Sequence, residues 1–263
     1  MTPRLRLALL LASSLLAAAP AHAQEMTPIA EAREALNAAV STYRAPQVLK
    51  ARATFEAMAA ADPKAVPLHY WIAYADWRAV PLLKGAERDK AERYVKDGLD
   101  QCEQALGVEP ANAEVLALKA SLQGLAIGFD PKSMMTLGVQ SSMNLRRAAE
   151  LQPANPRVRL LLAINVLHRP PEFGGGPAAA DSVFRRAIEL FAKISDSTGA
   201  AAPDWGREDA HLWAGRCAAK LLDWPRARDQ YRAALRVNPA NVWVRDQLLP
   251  EAEKALAGEP AKP

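Results

Sequence analysis

Residues Glu208 to Asn241 read EDAHLWAGRCAAKLLDWPRARDQYRAALRVNPAN, a cassette of 34 residues. A small residue, Gly215, stands eighth in it. Ala227 is twentieth, Tyr231 twenty-fourth, Ala234 twenty-seventh and Pro239 thirty-second. Two helices that cross closely need small residues at the crossing and a larger one to fill the gap beside it. A proline ends the second helix, because it has no amide hydrogen to give and clashes with the preceding turn. The same offsets recur upstream. Five residues before Pro63, Pro110, Pro153 and Pro239 stand Met58, Ala105, Ala148 and Ala234. Eight before them stand Phe55, Cys102, Leu145 and Tyr231, and twelve before them Ala51, Gly98, Ser141 and Ala227. The first helix of each cassette carries Ala73, Ala120, Ala163 or Gly215 at its eighth position.

This pattern resembles the tetratricopeptide repeat family, whose 34-residue helix–turn–helix unit stacks into a solenoid. The resemblance covers Gln47 to Asn241. It implies an all-α, right-handed helical-hairpin solenoid of about five repeats with a C-terminal capping helix. Helical spacing of apolar residues agrees, as in Val115, Leu118, Leu122 and Leu125, and no alternating stretch suggests a strand. Helices are predicted at 27–43, 46–61, 66–82, 87–108, 112–127, 132–151, 155–168, 177–194, 206–221, 224–237 and 241–257. Only the last repeat has the standard length. The second, third and fourth span 66–112, 113–155 and 156–207, and their extra residues fall mostly between paired helices, at 82–89, 128–139 and 169–178. A further insertion, 195–203, follows the fourth repeat.

The chain has 263 residues and a formal net charge of +4. Residues 1–23 have the pattern of a secretory signal peptide: Arg4 and Arg6, an apolar run from Leu7 to Ala18, and the small-x-small site Ala21-His22-Ala23. The run is too short to span a bilayer, so no integral membrane segment is expected after its removal. The expected organisation is a signal peptide over 1–23, a solenoid over 24–257 and a flexible tail over 258–263, in an exported, periplasmic protein. Removing Arg4 and Arg6 leaves a charge near neutrality, with no general attraction to nucleic acid. Cys102 and Cys217 lie in well-separated repeats and are expected to be small buried hydrophobes, not a disulfide.

In the repeat family the first helices line the concave face. Positions carried over on that basis give a partner-binding groove of Tyr70, Tyr74, Trp77, Arg157, Leu160, Asp209, Arg216 and Lys220. Aromatic side chains and Arg are the types enriched in binding hot spots, but an aromatic stripe at helical spacing also describes a packed core. The family's peptide clamps hold a C-terminal carboxylate with groove Asn and Lys. Here the corresponding positions are Tyr70, Ala117, Leu160 and Leu212, so that mode is not expected.

The stretch Arg169-Pro-Pro-Glu-Phe-Gly-Gly-Gly-Pro177 follows a helix and lacks a Lys-Ser/Thr pair, so it is not a phosphate loop. Glu172, Phe173, Gly174, Gly175 and Gly176 read as a structural loop, with Phe173 anchored between helices, or as a partner-contact loop. His69, His168 and His211 sit in different repeats without ligand spacing, and no metal or cofactor is expected. No catalytic triad or nucleophile elbow shows in the spacing. The sequence points to a binding protein, not an enzyme. Its partner is a protein or peptide in the concave groove or, alternatively, a small molecule, as an accessory protein of an envelope uptake system. An open groove favours the first and an enclosed apolar cavity the second.

Overall fold

The computed structural model describes residues 27–194 and 199–258, so the signal-peptide region lies outside the described residues. The described chain is all-α. Its eleven α-helices are α1 (Pro28–Ser41), α2 (Ala45–Ala61), α3 (Val66–Ala79), α4 (Arg88–Val108), α5 (Ala113–Ile127), α6 (Met134–Leu151), α7 (Pro156–His168), α8 (Pro177–Phe191), α9 (Arg207–Lys220), α10 (Trp224–Val237) and α11 (Leu249–Leu256). Short 3-10 turns follow α3 (Val80–Leu82), precede α6 (Pro131–Ser133) and lie between α7 and α8 (Pro171–Phe173). A π-helical turn, Val244–Leu248, leads into α11. These bounds fall within a few residues of those predicted from spacing, except that the last predicted helix, 241–257, is divided into the π-helical turn and α11.

Each helix packs on the next. In addition, α1, α3, α5, α7 and α9 touch one another in succession, which places the odd-numbered helices in one layer and the even-numbered ones behind it. This arrangement is consistent with a helical repeat. The residues that defined the repeat are its crossings. Ala73, Ala120 and Ala163 are fully buried, and so are Phe55, Cys102 and Leu145 at the gap-filling position. A Cβ added at Gly215 would lie 2.5 Å from Cε1 of Tyr231, and one at Gly98 would lie 3.1 Å from Leu122. Glycine at these positions lets the two helices approach closely.

The stop signals have one geometry. The residues before the four closing prolines, Asp62, Glu109, Gln152 and Asn238, all cap their helices with φ between −124° and −136° and ψ between 73° and 91°. A proline ring forces its predecessor out of the helical region in this way. The tripeptide Pro-Ala-Asn then recurs at 110–112, 153–155 and 239–241. Asn112, Asn155 and Asn241 each accept a hydrogen bond from a backbone amide two or three residues on, and so start the next helix. The motif thus ends one hairpin and opens the next. Both cysteines are free and buried, with Cys217 Sγ 3.2 Å from the Pro177 carbonyl.

The two ends of the helical array meet. The Arg33 guanidinium on α1 donates to the carbonyls of Gly199, Ala200 and Ala202 at 2.9, 3.0 and 3.2 Å and pairs with Asp204 at 3.1 Å. Asn238 after α10 donates to Ser41 at 2.9 Å. Tyr43, at the end of α1, lies against Trp243 with ring centroids 4.6 Å apart.

Candidate functional site

The layer of odd-numbered helices has a hollow side, and its two halves differ. The half at the helix N-termini is filled by residues 199–206. Trp71 donates its indole N–H to the Ala201 carbonyl at 3.0 Å, and Trp205 donates to the Tyr70 hydroxyl at 2.9 Å. The Tyr70 hydroxyl donates in turn to Glu114 at 3.1 Å, and Glu114 is gripped by Arg157, with contacts of 2.7–2.9 Å. The Trp205 ring lies 4.8 Å from Tyr74 and 5.7 Å from Trp77.

Much of the groove predicted from the sequence is therefore interior. Tyr70, Tyr74 and Leu160 are buried core residues, so the aromatic stripe is not the wall of an open channel. Arg157 and Asp209 are taken up by ion pairs, the latter with Arg78 at 2.7 Å, and Lys220 stands exposed at the end of α9. The cause is the insertion before α9, which occupies the space that a bare repeat array would leave to a partner.

The half at the helix C-termini is open. It forms a cleft of about 1160 Å³. Trp77, Ile164, Leu125 and Val48 line its deep side, and Trp213 and Trp243 form one wall. The opposite lip is a face of α6. Met135, Val139 and Met143, one helical turn apart, are 66%, 54% and 61% exposed. Three large apolar side chains in one exposed row are unusual unless something covers them. Phe173, 53% exposed, joins the same rim. It is not the buried anchor expected from the sequence, although its loop is a built structure. Gly174 and Gly176 have φ of 74° and 93°, and a Cβ on Gly175 would fall 2.2 Å from the Arg169 carbonyl oxygen. Glu172 is exposed beside Phe173. A smaller hollow of about 390 Å³ adjoins the cleft and shares Ser142, Arg146 and Arg169 with it.

The Trp213–Trp243 wall is a ladder of flat groups. His168 meets Trp213 edge-on at 5.6 Å. The Arg216 guanidinium lies 4.4 Å from the Trp213 ring centre and 4.9 Å from that of Trp243, and Trp243 lies against Tyr43. Tyr43 has φ of 55°, a left-handed conformation that costs a non-glycine residue on the order of 1–3 kcal/mol. That conformation ends α1 and sets Tyr43 against Trp243. Burial raises the Tyr43 hydroxyl above its ordinary value and lowers the His168 imidazole below its own, with Arg216 and Lys220 adding to the His168 shift.

The electrostatics of the cleft are one-sided. Arg78, Lys84, Arg146, Arg169 and Arg216 line it, whereas among the described residues no Asp or Glu does. Arg78 is neutralised from behind by Asp209. Among the described residues Arg169 has only the neutral partners Asn165 and Ser142, at 2.7 and 3.4 Å. Arg216 forms no ion pair among the described residues. Of the residues proposed from sequence, Trp77, Arg216 and Phe173 reach this site. Trp213, Trp243, Tyr43 and the α6 row were missed. A Trp three residues before an Arg, and Met-x3-Val-x3-Met along a helix, were signals available for some of them.

No family model matches the chain, and no curated protein matches it. Among solved structures it is similar to the HusA haemophore from Porphyromonas gingivalis, with 24% sequence identity over 73% of this chain and 92% of that one and a TM-score of 0.61. That likeness establishes a shared helical fold. Among the described residues no helix is long and apolar enough to cross a membrane.

Proposed function

We propose that this chain is an exported tetratricopeptide-like solenoid that carries a flat apolar small molecule, of the tetrapyrrole kind, in the cleft beside α6. In this reading the five hairpins form a right-handed array that curves until its ends meet, with the final helix as its cap. The leader at residues 1–23 directs it to the periplasm. The observation that carries the reading is the cleft itself: about 1160 Å³, walled by Trp77, Trp213, Trp243, Phe173 and the exposed methionines of α6. Small-molecule sites are concave and mostly apolar, with a few polar groups that fix orientation, and methionine adapts to flat polarizable ligands. That a haemophore shares the fold supports the choice of ligand class. The protein's role is to hold and deliver its cargo, without chemistry of its own.

A protein or peptide partner in an open groove is the other reading. What weakens it is the 199–206 segment, which covers the stripe of Tyr70 and Tyr74 that such a partner would use. Titration of the purified protein with haemin and with protoporphyrin IX tests the proposal. Saturable quenching of tryptophan fluorescence and a shift of the porphyrin Soret band are expected, because three indoles line the site. No saturable change with either compound would remove the tetrapyrrole reading.

A further inference from the structure

We propose that the cleft selects ligands carrying an oxyanion, with the Arg216 guanidinium as the group that receives it and Arg169 assisting at the rim. This deepens the reading of the cleft as a ligand site and rests on it. The cargo class is an amphiphile with an aromatic or polycyclic body and at least one carboxylate or comparable anionic group.

Two observations point to this class. The first is the charge pattern. The cleft has five cationic side chains, of which Arg78 is neutralised by Asp209, and no carboxylate among its described lining residues, so the remaining four set a positive field that the low dielectric of its apolar walls concentrates. The second is the state of Arg216. The Arg216 guanidinium lies over two indole rings, at 4.4 and 4.9 Å, which holds it in place, and no protein acceptor among the described residues takes its N–H groups. Burial pulls its pKa below the ordinary arginine value, and Tyr43, Tyr231 and Glu251 offset that penalty only in part. Elsewhere in the molecule buried arginines are matched: Arg157 by Glu114, Arg78 by Asp209 and Arg52 by Asp76. Among the described residues Arg216, like Arg169, has no such carboxylate, and it faces the cavity. Arginine's planar fork suits a carboxylate in bidentate fashion. An incoming oxyanion would supply the missing partner, while the ligand's apolar body covers Met135, Val139 and Met143.

The test uses two dyes with the same rings. 1-Anilinonaphthalene-8-sulfonate is anionic, and N-phenyl-1-naphthylamine lacks the sulfonate. With the full purified protein, R216Q is expected to weaken the sulfonate dye by about tenfold or more, the scale of one lost charge-assisted hydrogen bond. It is expected to leave the neutral dye nearly unchanged, with R216K intermediate. Added salt should weaken only the anionic dye in the wild-type protein, which decides the matter even if R216Q does not fold. Equal effects of R216Q on both dyes, or salt-insensitive binding of the sulfonate, would overturn the proposal. Protoporphyrin IX and its dimethyl ester are measured alongside. A preference for the free acid that R216Q abolishes supports the proposal, and equal affinity for acid and ester counts against it. Failure of both porphyrins to bind sinks only the tetrapyrrole reading, because the naphthalene pair still decides the anion preference.

Discussion

The two halves of the hollow side are walled by the same odd-numbered helices, yet they end in opposite states. Where the helices begin, residues 199–206 fill the space and the charges there are balanced: Arg33 by Asp204 and Arg157 by Glu114. Where the helices end, the space stays open, apolar side chains remain uncovered, and Arg169 and Arg216 have no ion-pair partner among the described residues. The contrast has a physical source in the insertion before α9. Stacked hairpins alone give a long concave surface. An insertion that seals one half converts that surface into a bounded cleft, and the uncompensated residues then mark the site we propose for the ligand.

The largest effect is expected at the seal. Trp205→Ala should leave a void against Tyr74 and Trp77 and cost about 3–5 kcal/mol, the range for truncating a buried aromatic, as read from urea denaturation. A change of less than about 1 kcal/mol, within the scatter of ordinary surface substitutions, would show that the segment is not part of the core. Next comes the scaffold behind both halves. Ala163→Leu should overpack the α7 crossing and cost about 1–3 kcal/mol, and unchanged stability would disprove the crossing register.

The seam between the array's ends offers a pH test. Glu208 accepts hydrogen bonds from Asn238 and Asn241, and burial together with neighbouring Asp209 raises its pKa to about 7. The folded protein then binds more protons than the unfolded chain between the ordinary glutamate value of 4.5 and about 7. Stability from this group should be fully present below that window and fall as pH rises through it. Glu208→Gln should flatten the profile of Tm against pH over the window. A mutant profile parallel to that of the wild type would assign the slope to other groups. The smallest effect on stability is expected in the open half. Met143→Ser should change stability by less than about 0.5 kcal/mol and still weaken porphyrin quenching. A large loss of stability would mean that the α6 row is packed and not waiting for a ligand.

The fold was largely legible because helix crossings leave a strong trace. Ala73, Ala120, Ala163 and Gly215 recur where side chains larger than a methyl cannot fit, and proline sets the same cap geometry four times. The site was legible only in pieces. Arg216 and Trp77 could be placed on the first helices of their repeats, but their neighbours could not. Trp243 comes from the far end of the array, and Tyr43 reaches it only because α1 ends in a left-handed residue. The groove prediction failed at Tyr70 and Tyr74 for a related reason. Nothing periodic marks residues 199–206 as a filler, and their hydrogen bonds reach back across 130 or more positions, as from Ala201 to Trp71.

The sequence alone determined the all-α hairpin order, the positions of the crossings and the places where the chain turns. Each of these depends on contacts between residues close in sequence or on the conformational limits of single residues. Which half of the hollow would be sealed, and which cation would be left facing a cavity without a partner, was decided only in three dimensions. Burial and charge compensation depend on groups that distant parts of the chain bring together, and no local spacing records them.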